Sequence, residues 1–270
     1  MIINHNMSAQ FANRLLKSQL GMLGKSIEKI PSGERINNAG DDASGLAVSE
    51  KLRSQIRGLK QAEKNVQNGI SFLQTAEGSL QEVHSILHRI RELAIQAANG
   101  IYSMDDRMLV QIEVGQLVDE IDRIATSTEF NKFKILDGTL QSVRLHVGPN
   151  ADQFITLKMS TMTSRALGVN GVSLSTPDSA NVAIAKVDAA VNNLSSQRAS
   201  LGATQNRLMH TAASVSQAAE SLQSAESLIR DTDMSTEIVE LTKNQVLVQS
   251  STAVLAQANL IPNLVLELLR

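Results

Sequence analysis

Four groupings in this 270-residue chain carry residue types that could do chemistry. Gly24-Lys25-Ser26 has the closing residues of a phosphate loop, in which backbone N–H groups and a lysine hold a nucleotide. The glycine required five residues before Gly24 is Gln19, and the preceding segment reads as helix where such a loop needs a strand. His84 and His88 are one turn apart and share a helix face, as metal ligands can. No cysteine or carboxylate completes a ligand set, and Val83 and Leu87 interleave them, so the pair reads as a polar helix flank. Asp41-Asp42, Asp105-Asp106 and Asp119-Glu120 have the composition of acid–base dyads. The first two sit at expected helix starts, where the helix macrodipole accounts for them, and the third lies on a solvated face. Asn6-Met7-Ser8 and Asn193-Leu194-Ser195 match glycosylation tripeptides by chance within expected helices. The expectation is therefore no catalytic, cofactor or metal site, and a chain that is not an enzyme.

The elements that would have to position such groups are long helices. Leu16, Leu20, Leu23, Ile27 and Ile30 are spaced 4, 3, 4, 3, a coiled-coil seam on a helix from about 8 to 30, broken at Pro31-Ser32-Gly33. A second helix is expected from about Asp42 to Asn99, with Leu52, Ile56, Leu59, Val66, Ile70, Leu73, Leu80, Val83, Leu87, Ile90, Ala94 and Ala97 along its seam. At 1.5 Å per residue it would be roughly 85 Å long. A third begins near Ser103, capped by that side chain, with Val110, Val114, Leu117, Ile121 and Ile124 as its seam. Residues 130–175 change character. Val143, Leu145 and Val147 alternate with Arg144 and His146, Ile155, Leu157 and Met159 with Thr156 and Lys158, and Gly148-Pro149-Asn150 lies between, predicting one β-hairpin. Val187, Leu194, Leu201, Leu208, Val215, Leu222 and Ile229 then recur every seven residues, a bundle-core row on a long helix. The last helix carries Met234, Ile238, Leu241, Val248 and Leu255, and is expected to be interrupted at Pro262.

Composition agrees with thin helical layers. There is no Trp, one Tyr, five Phe, four Pro and no Cys, and the net charge is −2 with interspersed signs. That argues against disulfides, thiolate chemistry and a nucleic-acid surface. No apolar run has the length of a membrane span, and the N-terminus lacks a Sec-type signal. A terminal helix of this length cannot bury its stripe alone and is marginal in water, so both termini need partners: each other, or other copies. Read this way, the chain is mainly α, a long antiparallel helical bundle or coiled coil formed by both termini with a small β-hairpin region in the middle. A polymerising structural protein and a helical adaptor that stays in the cytoplasm both fit that pattern.

Longer strings separate them. Residues 40–59 read GDDASGLAVSEKLRSQIRGL, 69–78 GISFLQTAEG, 89–103 RIRELAIQAANGIYS, 129–138 EFNKFKILDG, 202–211 GATQNRLMHT and 242–259 TKNQVLVQSSTAVLAQAN, with Leu268-Leu269-Arg270 closing a leucine-rich end. Over about 1–140 and 185–270 these resemble the terminal core regions of bacterial flagellin. Gly100-Ile101-Tyr102-Ser103, Asp106-Arg107-Met108 and Thr161-Met162-Thr163-Ser164-Arg165-Ala166-Leu167-Gly168 look most like spirochaete flagellins, which build filaments in the periplasm. The chain departs from the family at Ile30-Pro31, at Leu228, and at the apolar Leu260-Ile261-Pro262-Asn263-Leu264.

The resemblance implies a filament subunit exported unfolded by the flagellar type III apparatus and polymerised for motility. It implies an inner-core terminal coiled-coil domain (1–42 and 231–270), a long-helix bundle (43–130 and 178–230) and a β-hairpin region (131–177). The polymerisation seam would be Leu16, Leu20, Leu23, Ile27, Ile30, Ile238, Leu241, Val248 and Leu255. Arg89, Leu93 and Glu113 match by motif position an outer surface used by neighbouring subunits or by the Toll-like receptor that senses flagellin. Implied partners are further copies of the chain, an export chaperone, cap and hook-junction proteins, and sheath proteins, with no nucleic acid. The implied location is the bacterial flagellum, periplasmic if spirochaetal and otherwise extracellular.

Overall fold

The computed structural model describes residues 5–268, with side chains through Ile261. Six helices and two small hairpins follow one another: α1 (Met7–Ser32), α2 (Ala43–Ala98), α3 (Met104–Ser127), β1 (Glu129–Phe130), β2 (Phe133–Lys134), β3 (Ser142–His146), β4 (Phe154–Lys158), α4 (Ser164–Leu167), α5 (Pro177–Arg230) and α6 (Met234–Leu268). The fold is mainly α, with the terminal helices packed together, as the periodicity predicts. The chain forms two compact units, one of residues 1–54 and 221–270, the other of 55–220. Their boundaries fall within α2 and α5 rather than at the loops where composition changes.

Local chemistry sets the helix ends. Asn6 caps α1, its side-chain oxygen accepting from the Ala9 N–H at 3.0 Å. The helix runs through Pro31 to Ser32 and stops at Gly33, whose φ of 68° is left-handed and whose N–H reaches the Lys29 carbonyl. Ser103 and Asp106 form a capping box on α3, and the serine hydrogen bonds hold the Asp106 carboxyl below its ordinary pKa. The buried Arg107 turns back and donates to the Ala97 and Asn99 carbonyls at 2.9 and 3.1 Å. It thus satisfies carbonyls at the end of α2. The expected break at Pro262 does not occur, since α6 continues to Leu268. Proline lacks the N–H that would bond to the carbonyl four residues back. That carbonyl, on Ala258, accepts instead from the Asn6 side chain at 2.8 Å.

Residues 55–220 share one apolar core. On α2 it takes Val66, Leu73, Leu80, Leu87 and Ala94 together with Ala76, Val83, Ile90 and Ala97, two rows that each recur every seven residues. From α5 it takes Val187, Leu194, Leu201 and Leu208, and from α3 Val114 and Ile121. Val215 is also buried, and Leu222 and Ile229 farther along the same row are half-buried.

The hairpin pairs β3 with β4 in the register Val143↔Leu157 and Leu145↔Ile155. It lies along α2 where that helix has no side chain: a Cβ at Gly58 would meet Pro149 at 2.9 Å, and one at Gly69 would run into Leu145. A second hairpin, which the sequence reading missed, joins β1 to β2 through Asn131 and Lys132. Both residues have positive φ, 51° and 66°, as a two-residue loop of this hand demands. Asn131 is a favoured residue there, but Lys132 is not, and the strands are too short for alternation to show. Phe130 instead meets Phe72 edge-on in the core at 5.6 Å.

Candidate functional site

The functional feature of residues 1–54 and 221–270 is the antiparallel pairing of α1 with α6. Its register is anchored by the Ser251 hydroxyl donating to the Gln19 side-chain oxygen, both groups buried. That contact places Leu23 opposite Val248, Leu16 opposite Leu255, Ser26 opposite Asn244, Ile30 opposite Leu241 and Ala12 opposite Ala258. The burial pattern agrees: Ala12, Gln19, Ser26, Asn244, Ser251 and Ala258 are buried, and Leu16, Leu23, Ile30, Leu241, Val248 and Leu255 are half-buried. Large apolar layers therefore alternate with small or polar ones. A Lys29–Glu237 ion pair at 3.9 Å flanks the seam.

This corrects the seam read from the sequence at three positions. Leu20, Ile27 and Ile238 are 48%, 54% and 50% exposed and lie outside the pairing of the two helices. The spacing of leucines and isoleucines could not reveal this, because the alternate seam positions are filled by Ala, Gln, Ser and Asn. A 3–4 pattern followed through the polar residues would have found Gln19, Ser26, Asn244 and Ser251. Leu20, Ile27 and Ile238 instead join Met7, Phe11, Leu15, Met22, Val239, Val246, Leu247, Val254, Leu260 and Ile261 among the exposed apolar side chains of the pair. Part of this surface is a groove between the helices, lined by Phe11, Leu15, Leu247, Val254 and Ile261.

The turns beyond the helix pair are locked by charge. Arg53 Nε reaches Glu226 at 2.8 Å and its Nη2 reaches Glu34 at 2.7 Å. Arg230 Nε lies 3.0 Å from Glu34, and its Nη1 lies 2.6 Å from Glu50. Burial pushes the Glu34 carboxyl up, and the two guanidiniums, Arg53 ahead of Arg230, more than reverse this and hold it below its ordinary value. Backbone bonds from Arg35 N–H to the Arg230 carbonyl and from Thr232 N–H to the Gly33 carbonyl tie the same two turns. No sequence pattern marked this cluster, because its members are far apart in the chain.

Within residues 55–220, Arg89 and Glu113 form an exposed pair at 2.9 Å, with Glu92 3.3 Å from the same guanidinium. Leu93, expected beside them as an apolar knob on the outer surface, is 2% exposed and belongs to the core. The physical reason is the breadth of the α2 stripe. Core residues of both α3 and α5 cover it, so Leu93 is buried between its heptad neighbours Ile90 and Ala97.

The other candidates for chemistry settle into structural places. Gly24-Lys25-Ser26 lies inside α1 with Ser26 buried. Asp42 accepts from the Gly45 N–H at 2.9 Å at the start of α2, Asp106 is the capping-box acid, and Glu120 pairs with Arg123 one turn away. Among the described residues no three His, Asp or Glu side chains gather as a metal-ligand set. No helix among them is long and apolar enough to cross a membrane.

Comparison with known proteins agrees with this geometry. Residues 3–141 match the family model described as the bacterial flagellin N-terminal helical region, and residues 184–269 the one described as the bacterial flagellin C-terminal helical region. The chain is 54% identical to the flagellar filament 30.7 kDa core protein of Treponema maltophilum, with all of both chains covered. It is 51% identical to a flagellar filament core protein of Brachyspira hyodysenteriae over 96% of each chain, and 48% identical to a flagellin of Halalkalibacterium halodurans over all of both. Among solved structures it resembles Bacillus cereus flagellin, with a TM-score of 0.52 at 32% identity, over 56% of this chain and 88% of that one. It shares a fold with a putative flagellar hook-associated protein of Vibrio parahaemolyticus, with a TM-score of 0.60 at 15% identity, over 70% of this chain and 99% of that one.

Proposed function

This chain belongs to the bacterial flagellin family, and from that premise we propose that it is exported unfolded by the flagellar type III apparatus and polymerises through α1 and α6 for motility. It is a structural subunit of the flagellar filament and not an enzyme. One observation carries the assembly reading. α1 and α6 pair with each other yet leave most of their large apolar side chains exposed, on faces where water is an unfavourable neighbour. Copies of the chain packed side by side would cover them. The half-buried seam of Leu16, Leu23, Ile30, Leu241, Val248 and Leu255 sets the helix pair, and Leu20, Ile27 and Ile238 supply contact between copies.

The finer parts of the proposal follow from family resemblance. Its strong likeness to Treponema and Brachyspira filament core proteins supports a spirochaete-type filament in the periplasm. The partners proposed are an export chaperone holding the C-terminal segment, cap and hook-junction proteins, and sheath proteins. The exposed Arg89–Glu113 pair supports a contact surface for a neighbouring subunit, or for the flagellin-sensing Toll-like receptor when the chain is free. Leu93 would act there only by shaping the helix beneath. Removing residues 236–270 tests the assembly reading. The truncated chain should be a soluble monomer that keeps the 55–220 bundle by circular dichroism, and long filaments from it under negative stain would refute the assignment.

A further inference from the structure

The assembly proposed above, through α1 and α6, gives no role to the histidine pair on α2. His84 and His88 stand one turn apart with their Nε2 atoms at 3.0 Å. Their rings cross at 86° with centroids 4.5 Å apart. A single proton between the two nitrogens accounts for this distance. The same distance also fits two nitrogens on one metal ion. With metal–nitrogen bonds of about 2.0–2.1 Å, two ligands at a right angle are about 2.9 Å apart, and two at the tetrahedral angle about 3.4 Å. The observed spacing matches the right angle, which is the geometry of square or octahedral ions rather than of tetrahedral zinc.

We propose that His84 and His88 form a two-nitrogen chelate for a divalent transition ion of tetragonal preference, Cu²⁺ or Ni²⁺, with water in the remaining positions. The α2 backbone, helical from Ala43 to Ala98, holds the two rings in register before the ion arrives. His88 is exposed, giving solvent access, while His84 is half-buried. His84 Nδ1 is buried without a hydrogen-bond partner, so Nε2 is the atom through which that ring engages anything. A neutral imidazole carries the lone pair that a metal requires.

Proton balance is simple. Two neutral rings hold two protons, one of them on an Nε2. With that proton on the exposed His88, binding moves it through solvent to the Nδ1 of the same ring, with no net release. The charged groups nearby set the strength. Arg198 on α5 faces His84 and opposes a dication, while lying 3.8 Å from Glu77, which partly offsets it. Glu92 is one turn beyond His88 on the same stripe but is engaged by Arg89. A two-ligand site of this kind is thus reversible and responsive to ion concentration, rather than a permanent structural centre.

The test uses the full-length monomeric chain at neutral pH, titrated with Cu²⁺ by calorimetry and examined by electron paramagnetic resonance. The expected result is one saturable ion per chain with two nitrogen ligands, and a rise in melting temperature that a chelator reverses. His84→Ala and His88→Ala should each weaken binding at least tenfold. Both substitutions favour helix, and circular dichroism confirms that each variant is folded. His210→Ala should bind as the parent does, because His210 has no histidine one turn away on either side. Parent-like binding by the His84 and His88 variants, a one-nitrogen spectrum, or loss of binding in His210→Ala would each overturn the proposal.

Discussion

The two compact units of this chain are built from the same element, paired long helices, and differ in what fills the seam. In residues 55–220 the α2 rows are apolar at every layer from Val66 to Ala97, and α3, α5 and the larger hairpin cover them. In the α1–α6 pair every second layer is small or polar, and the large apolar residues fall partly on the outside. The difference separates two jobs. A continuous apolar seam makes a unit that holds itself together, since each fully buried leucine contributes about 1.5–3 kcal/mol. A seam broken by Gln19–Ser251 and Ser26–Asn244 gains register from its polar layers but less stability. It also leaves leucines and isoleucines exposed, where the proposed assembly would cover them.

Breaking the stronger seam should have the largest effect. Leu208→Ala, in the centre of the bundle-core row, should lower the stability of the 55–220 unit by about 2–5 kcal/mol. Denaturant unfolding followed by circular dichroism measures this, and turbidity should show slower assembly. A silent Leu208→Ala would remove the contrast between the units.

A smaller loss is expected in the weaker seam. Gln19→Ala leaves the buried Ser251 hydroxyl without its partner and should cost about 1–3 kcal/mol. The paired change Gln19→Leu with Ser251→Ala should restore stability or exceed it, while loosening register so that crosslinks between positions 23 and 248 become heterogeneous. If the paired variant is as unstable as Gln19→Ala, the layer is not a register device.

Acid should weaken the terminal unit through its charge cluster. The folded Glu34 carboxyl is held below its ordinary value, so its contribution is fully present above the unfolded value near 4.5. It is lost as pH falls through the lowered folded value. Melting of the helix pair from pH 5 to pH 3 should therefore decline more steeply in the parent than in Glu34→Gln. At this partly exposed cluster the difference should be about 1 kcal/mol or less. Equal slopes would mean that the Arg53 and Arg230 contacts do not discriminate between the two carboxyl states.

The smallest effect should come from Lys132→Gly. It relieves a left-handed lysine in the β1–β2 loop and should raise stability by less than about 1 kcal/mol in the same denaturant assay. A loss of stability would show that the lysine side chain has a role at that turn.

What could be read from the sequence follows the same division. The α2 and α5 rows, the Ser103 cap and the β3–β4 alternation were legible because each is a local pattern of strongly apolar or capping residues. The polar half of the α1–α6 seam was not, since Gln19, Ser26, Asn244 and Ser251 look like solvent-facing residues until the opposing helix is in place. Leu93 misled for the converse reason: flanked in sequence by charge, it sits on a stripe that two elements cover. Pro262 looks like a break, and the Asn6 side chain, 252 residues away, supplies a donor to the Ala258 carbonyl. The Arg53–Glu34–Arg230 cluster has no periodicity at all.

On the proposed function, the outward apolar residues of the terminal pair serve assembly and not the stability of the chain that carries them. Combining Leu20→Gln, Ile27→Gln and Ile238→Gln in the full-length chain tests it directly, with monomer melting and negative-stain microscopy read on the same preparation. The expected result is a melting profile within about 1 kcal/mol of the parent, because exposed positions contribute little to folding, together with loss of long filaments. Filaments of parental length from the triple variant, or a collapse of monomer melting, would contradict it.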